Sequence, residues 1–210
     1  MRIIKSLVFT VALMFGSVAV ANANIMLWLD PSVQSPVSAG DDISLKIMIS
    51  GLGDNSPLSL GAFDLDVSFD SSVLSFSGYT LFDELGNVGL FEADDFSFGE
   101  YAPGAINLYE VSYLFDFELD SLQPGMFALA ELFFHVDVLN SGESTFLSLF
   151  ANSLTDAIGR TLDITVGDDA IISTPTPAPL PLLVIALLTI FIRLNKIHLV
   201  DKFTNLSKRN

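Results

Sequence analysis

Apolar and polar residues alternate along Gly61–Phe76, GAFDLDVSFDSSVLSF, almost without error. Phe63, Leu65, Val67 and Phe69 fall on one side; Ala62, Asp64, Asp66 and Ser68 fall on the other. A period of two predicts a half-buried antiparallel strand, with one face on a core and one in water. Asp70-Ser71-Ser72 turns the chain, and Val73–Phe76 starts the next strand. The period recurs over Ile43–Ser50, with Ile43, Leu45, Ile47 and Ile49 inward. It recurs over Phe127–Asn140, where Ala128, Ala130, Leu132, Phe134, Val136 and Val138 are expected on one side and Glu131, His135 and Asp137 on the other. Shorter strands are expected at Ile25–Asp30, at 105–115, where Ile106, Leu108 and Glu110 share a side, at Ser144–Phe150, at Leu162–Val166 and at Ala170–Ile172. Trp28 is expected in the core, Gly78–Gly104 is irregular, and Asp116–Gly125 reads as an acidic loop closed by Pro124-Gly125. Many short strands between turn residues, with no amphipathic helix, predict an all-β fold: an antiparallel two-sheet β-sandwich over residues 24–173.

The two ends follow a different pattern. Met1–Ala23 has a basic start at Arg2 and Lys5, an apolar run over Leu7–Val20, and small-x-small cleavage patterns ending at Ala21 and at Ala23. That is the layout of a secretory signal peptide, with an uncleaved N-terminal anchor as the other reading. At the far end, residues 174–181 (TPTPAPLP) form a Pro-rich spacer, in which alternating prolines favour an extended chain. The uninterrupted apolar run 182–192 follows, as a sorting or transmembrane helix. Counted from Leu180 it has 13 residues. At 1.5 Å per residue that is about 20 Å, short for a bilayer core of about 30 Å. Arg193 and Lys196 open a basic tail over 193–210, an order that leaves the C-terminus in the cytoplasm.

Charge narrows the function. Between Asn24 and Thr174 the only Lys or Arg residues are Lys46 and Arg160, against a chain total of 25 Asp and Glu. An acidic surface of this kind repels phosphate backbones and excludes nucleic acid as a partner. Cysteine is absent, which removes disulfides, thiol catalysis and thiolate metal sites. No phosphate-binding glycine loop or Gly-x-Ser-x-Gly elbow occurs, and His135 and His198 stand alone, so no catalytic residue is assigned and no enzyme activity is expected. A glycosidase would need two carboxylates converging in a cleft, and nothing in the sequence singles out a pair. The acidic doublets Asp41-Asp42, Asp94-Asp95 and Asp168-Asp169 offer the hard oxygens that calcium prefers. None has the Asp-x-Asp-x-Asp-Gly spacing of a calcium loop, so no cofactor and no metal-binding residue is assigned.

The alternating stretch, with its Phe-Asp pairs, its Asp turn and Val73-Leu74, resembles the third strand and following turn of cohesin domains, the modules that hold dockerin-bearing proteins in bacterial assemblies. Gly125–Phe134 is similar to that family's eighth strand, and Ser141–Leu147 to its descent into the ninth. The resemblance covers roughly Ile25–Ser173. It implies a nine-stranded jelly-roll sandwich, related in shape to certain cellulose-binding modules, with a dockerin-like protein partner held partly by an Asn-x-Asp pair on the third strand. Asp64 falls at that pair's Asp, Ala62 stands where the family has Asn, and Asp66 extends the same face. A polysaccharide-binding relative of the same fold is the alternative; it would need a row of exposed aromatics, for which Tyr109, Tyr113, Phe127 and Phe133 are the candidates, with core packing as the other role for the two phenylalanines. The tail resembles the PEP-CTERM sorting signal that an exosortase processes. Pro175, Pro177, Pro179 and Pro181 stand in for its Pro-Glu-Pro motif, without the Glu, and Arg193 and Lys196 for its basic end. That resemblance implies transient residence in the inner membrane, then passage outward to the cell surface or medium; a permanent single-pass anchor is the other reading.

Overall fold

The computed structural model describes residues 24–175, with positions 185, 188 and 189 beyond them. The N-terminal signal at Ala21 and Ala23, and the tail positions Pro177, Pro179, Pro181, Arg193 and Lys196, lie outside the described residues. Among those residues no helix is long and apolar enough to cross a membrane.

The strands run in order β1 (Ile25–Asp30), β2 (Val33–Gln34), β3 (Asp42–Ser50), β4 (Leu60–Phe69), β5 (Leu74–Leu81), β6 (Ala93–Asp95), β7 (Gly99–Ala102), β8 (Ala105–Ser112), β9 (Met126–Val136), β10 (Ser144–Asp156), β11 (Ile164–Val166) and β12 (Ala170–Ser173). One sheet has the order β11-β1-β3-β9-β5; the other has β2-β12-β10-β4-β8-β6, with β7 also paired to β8. Three lines of chain are each split into two short strands. β6 and β7 are successive pieces of one edge strand along β8. β1 and β2, and likewise β11 and β12, are lines of chain that pass from the first sheet to the second.

The sheets are mixed rather than antiparallel. β1 runs parallel to β11, and β2 parallel to β12, because the two ends of the domain cross between the sheets side by side in the same direction. Strands of two to four residues carry too little alternation to reveal their direction. The stretch likened to an eighth strand is β9, the seventh line of chain, and the eighth is β10.

The core lies between the sheets. Phe63, Leu65, Val67 and Phe69 of β4 are buried as the alternation predicts, against Ile47, Ile49, Leu132 and Phe134 of the facing sheet. Phe134 takes Phe69 edge-on at 5.2 Å and Phe76 at 5.7 Å. Each such ring contributes about 2–3 kcal/mol by leaving water.

Three expectations fail locally. In β9, Ile47 pairs with Ala130 and Met48 with Ala128, so Leu129 is an extra, bulged residue. A bulge reverses the inside–outside phase: Phe127 and Leu129 are buried, Ala128 turns outward, and Val138 is exposed beyond the strand. Trp28 points away from the core and is half-buried, because Ile25, Leu27 and Leu29 take the inward positions of β1. The acidic loop contains a helix, α1 (Asp116–Leu122). The Glu118 carboxylate accepts the Phe115 N–H at 2.9 Å, and acidic residues in the first turn suit the helix N-terminus. Only Leu119 is buried, so seven residues with one anchor show no 3.6-residue period.

Candidate binding face

The outward side of β4, flanked by β10 and β8, carries the residues the sequence singled out. Register places Asp66 between Phe150 and Asn107, and Asp64 between Ser153 and Tyr109. Because side chains alternate, Asp64 and Asp66 share one face two residues apart, with like charges turned to the same water. Asn107 resolves that repulsion. Its side-chain amide donates to Asp64 Oδ1 at 2.8 Å and to Asp66 Oδ1 at 3.0 Å, and Asn152 donates to the same Asp64 oxygen at 3.2 Å. Asn107 is itself buried, so the two carboxylates are held in one orientation from beneath. Ala62 sits further along, opposite Val111 and Thr155, and supplies no polar group.

Apolar rings border the acids. Phe150 and Phe146 stand out from β10, and Tyr109 from β8 with Phe96 packed on it at 5.4 Å. No Lys, Arg or His occurs in β4, β6, β7, β8 or β10. Arg160, past the end of β10, is turned onto Asp156 at 2.7 Å. The face is therefore flat, acidic and partly aromatic, suited to a basic or amide-rich surface with apolar contacts. Sequence reasoning singled out Asp64 and Asp66 but not Asn107, the amide that holds both; the available signal was a polar residue at an outward position of a neighbouring strand.

The aromatic row expected for polysaccharide binding does not form. Tyr109 and Tyr113 belong to the strand β8 and the residue that follows it, whereas Phe127 and Phe133 lie in the other sheet, and Phe127 is in the core. Among the described residues no group of three Asp, Glu or His side chains is placed to hold a metal ion. Two of the three acidic doublets bond within the fold: Asp41 accepts the Ser38 N–H, Asp42 meets His135 at 2.7 Å, Asp94 accepts from Tyr113, and Asp95 from Tyr79. Hydrogen bonding to Asp42 raises the His135 pKa. Pro175 is held at the other end of the sheet, where its carbonyl accepts the Ser141 hydroxyl at 3.3 Å.

Neither a known family profile nor a curated protein sequence matches the chain. Solved structures do match. Their architecture defines a two-sheet, jelly-roll-like sandwich, and within that class the fold is cohesin-like. The sixth cohesin of Acetivibrio cellulolyticus scaffoldin B, solved with a Cel5 dockerin, superposes with a TM-score of 0.55 at 14% identity over 72% of this chain and 99% of its own. The seventh ScaB type I cohesin of Pseudobacteroides cellulosolvens gives 0.55 at 13% identity, covering 75% and 96%. A non-cellulosomal cohesin of the archaeon Archaeoglobus fulgidus gives 0.53 at 15%, covering 73% and 93%.

Proposed function

We propose that this chain is an exported, non-catalytic binding module that docks a protein partner of the dockerin kind on the outer face of β4, β8 and β10. The observation that carries the reading is the Asn107 clamp. Two carboxylates set side by side on one face repel each other, a cost a lone domain has no need to bear, and the buried amide that offsets it also pre-organises them as acceptors for incoming donors. The cohesin-like fold supports it, since the Acetivibrio cellulolyticus relative was solved with a dockerin. Titration calorimetry against dockerin-type proteins encoded by the same organism tests it. Binding that drops at least about a hundredfold on Asp64→Arg with Asp66→Arg supports the proposal, since juxtaposed like charges cost several kcal/mol. Binding to polysaccharide that ignores those changes but is lost on Tyr109→Ala with Phe150→Ala would replace it with the carbohydrate reading.

The termini support export and sorting as a companion proposal. Intact mass of the protein recovered from host membranes and medium decides it. A released form starting near Asn22 or Asn24 and ending between Thr174 and Pro181 is expected. A membrane-bound form running through Asn210 would leave a permanently anchored module.

A further inference from the structure

Glu110 lies on β8 with its side chain between the sheets. Its exposure is 0%, and neither carboxyl oxygen has a hydrogen-bond partner. Across β4 it faces Phe63, a core ring, and across β6 it faces Asp95. The Asp95 oxygens are already taken, by the Tyr79 hydroxyl at 2.8 Å and the Ser97 N–H at 2.9 Å. The other groups acting on Glu110 belong to the 3₁₀ turn Asp83–Leu85, where Asp83 and Glu84 are both acidic and one Glu84 oxygen is also buried without a partner. The charges that act most strongly on Glu110 are thus all negative, and they come from β6 and from this turn.

Asp83–Asp95 is one strap between β5 and β8: two 3₁₀ turns and the three-residue β6. Its β6 closes the edge of the sheet along Glu110–Ser112 of β8. Its exposed residues include Leu90 and Phe91, and Phe91 adopts a left-handed φ of 61°. Leu85 and Ala93 are its two buried apolar anchors and β6 its ladder on β8, while most of its other residues are exposed or half-buried, so one unfavourable charge beneath it matters.

We propose that Glu110 is a proton-operated latch: with its carboxyl neutral the strap Asp83–Asp95 closes on the sandwich edge, and with the carboxylate charged the strap lifts. The latch stands whether or not the adjoining face docks a partner. Burial first, and then Asp95, Asp83 and Glu84, push its pKa from 4.5 to about 8. The sign follows. The closed strap keeps the proton up to about pH 8, while the open strap releases it above about 4.5, so closure is fully favourable below 4.5 and weakens until pH 8.

Hydrogen exchange of the purified protein, corrected for the intrinsic pH dependence of exchange, reads the strap directly. Between about pH 5 and 8 the opening constant of residues 83–95 rises by two to three orders of magnitude, and the Glu110→Gln variant shows no such rise. Carbon NMR of the Glu110 carboxyl in the unaltered protein gives a midpoint near 8; it needs no variant to fold. A midpoint below about 6, or a strap equally protected at both pH values, overturns the latch. Millimolar calcium leaves the wild-type strap open at pH 8 if the proton is the switch. Closure by calcium, absent in Glu110→Gln, overturns the proton reading in favour of a cation.

Discussion

Two acidic places sit on adjacent strands and are treated in opposite ways. Asp64 and Asp66 on β4 are half-buried, and a donor reaches both. Glu110 on β8 is fully buried and nothing reaches it. The difference is one of side: Asn107 and Glu110 are three positions apart on β8, so their side chains leave opposite faces of the sheet. A charge at the water surface needs only one well-placed amide to be oriented. A carboxyl in the core without a donor keeps its proton instead. The first arrangement leaves oriented acceptors at the surface, where the proposed partner would meet them; the second makes the local structure depend on pH.

Gln123 sharpens the comparison most, because it is buried and fully satisfied. Its side chain accepts the Leu60 N–H at 2.7 Å and donates to the Leu60 and Glu84 carbonyls at 2.8 and 3.0 Å. Gln123→Ala leaves three groups unpaired, and chemical denaturation is expected to show a loss of about 3–5 kcal/mol. A loss under about 1 kcal/mol would mean that satisfaction matters less here than burial.

Glu110→Leu is next and runs the other way. Removing a carboxyl whose pKa lies near 8 is expected to stabilise the domain by about 2–3 kcal/mol near pH 7, and by little near pH 4.5. A gain that does not change with pH would place the effect in packing rather than charge. Asn107→Ala, on the exposed side, removes the clamp and leaves two carboxylates facing each other. The expected cost is about 1–2 kcal/mol by the same denaturation, with weaker partner binding.

The smallest effect belongs to His135. Its pKa is raised by Asp42, so its contribution is complete below the unfolded value of 6.5 and is lost as pH rises through the folded value. This window overlaps that of Glu110. The residual loss of melting temperature between about pH 5.5 and 8 should therefore be read in the Glu110→Leu background, where His135→Gln is expected to abolish it.

Much of this was written in the alternation. β4 reads correctly residue by residue, and the pattern along β8 already set Glu110 with Ile106 and Leu108 on the apolar side. The turn at Asp70 is equally local: its carboxylate accepts the Ser72 N–H at 2.9 Å. What could not be read is what depends on a partner distant in sequence. The bulge at Leu129 exists because β9 must match β3, and it moved Phe127 from a candidate surface ring into the core. Asn107 became the clamp only when β8 docked beside β4, across 43 and 41 residues of chain.

The period of two thus determined by itself that this chain makes a sandwich, which side of β4 is polar, and that Glu110 shares a side with Ile106 and Leu108, because strand geometry sends alternate side chains to opposite faces whatever lies beyond. The tertiary structure alone decided the mixed pairing of the end strands, the amide that orients Asp64 and Asp66, and the missing donor at Glu110. Those depend on which strands become neighbours and in which register, and a hydrogen bond or its absence exists only once both partners are in place.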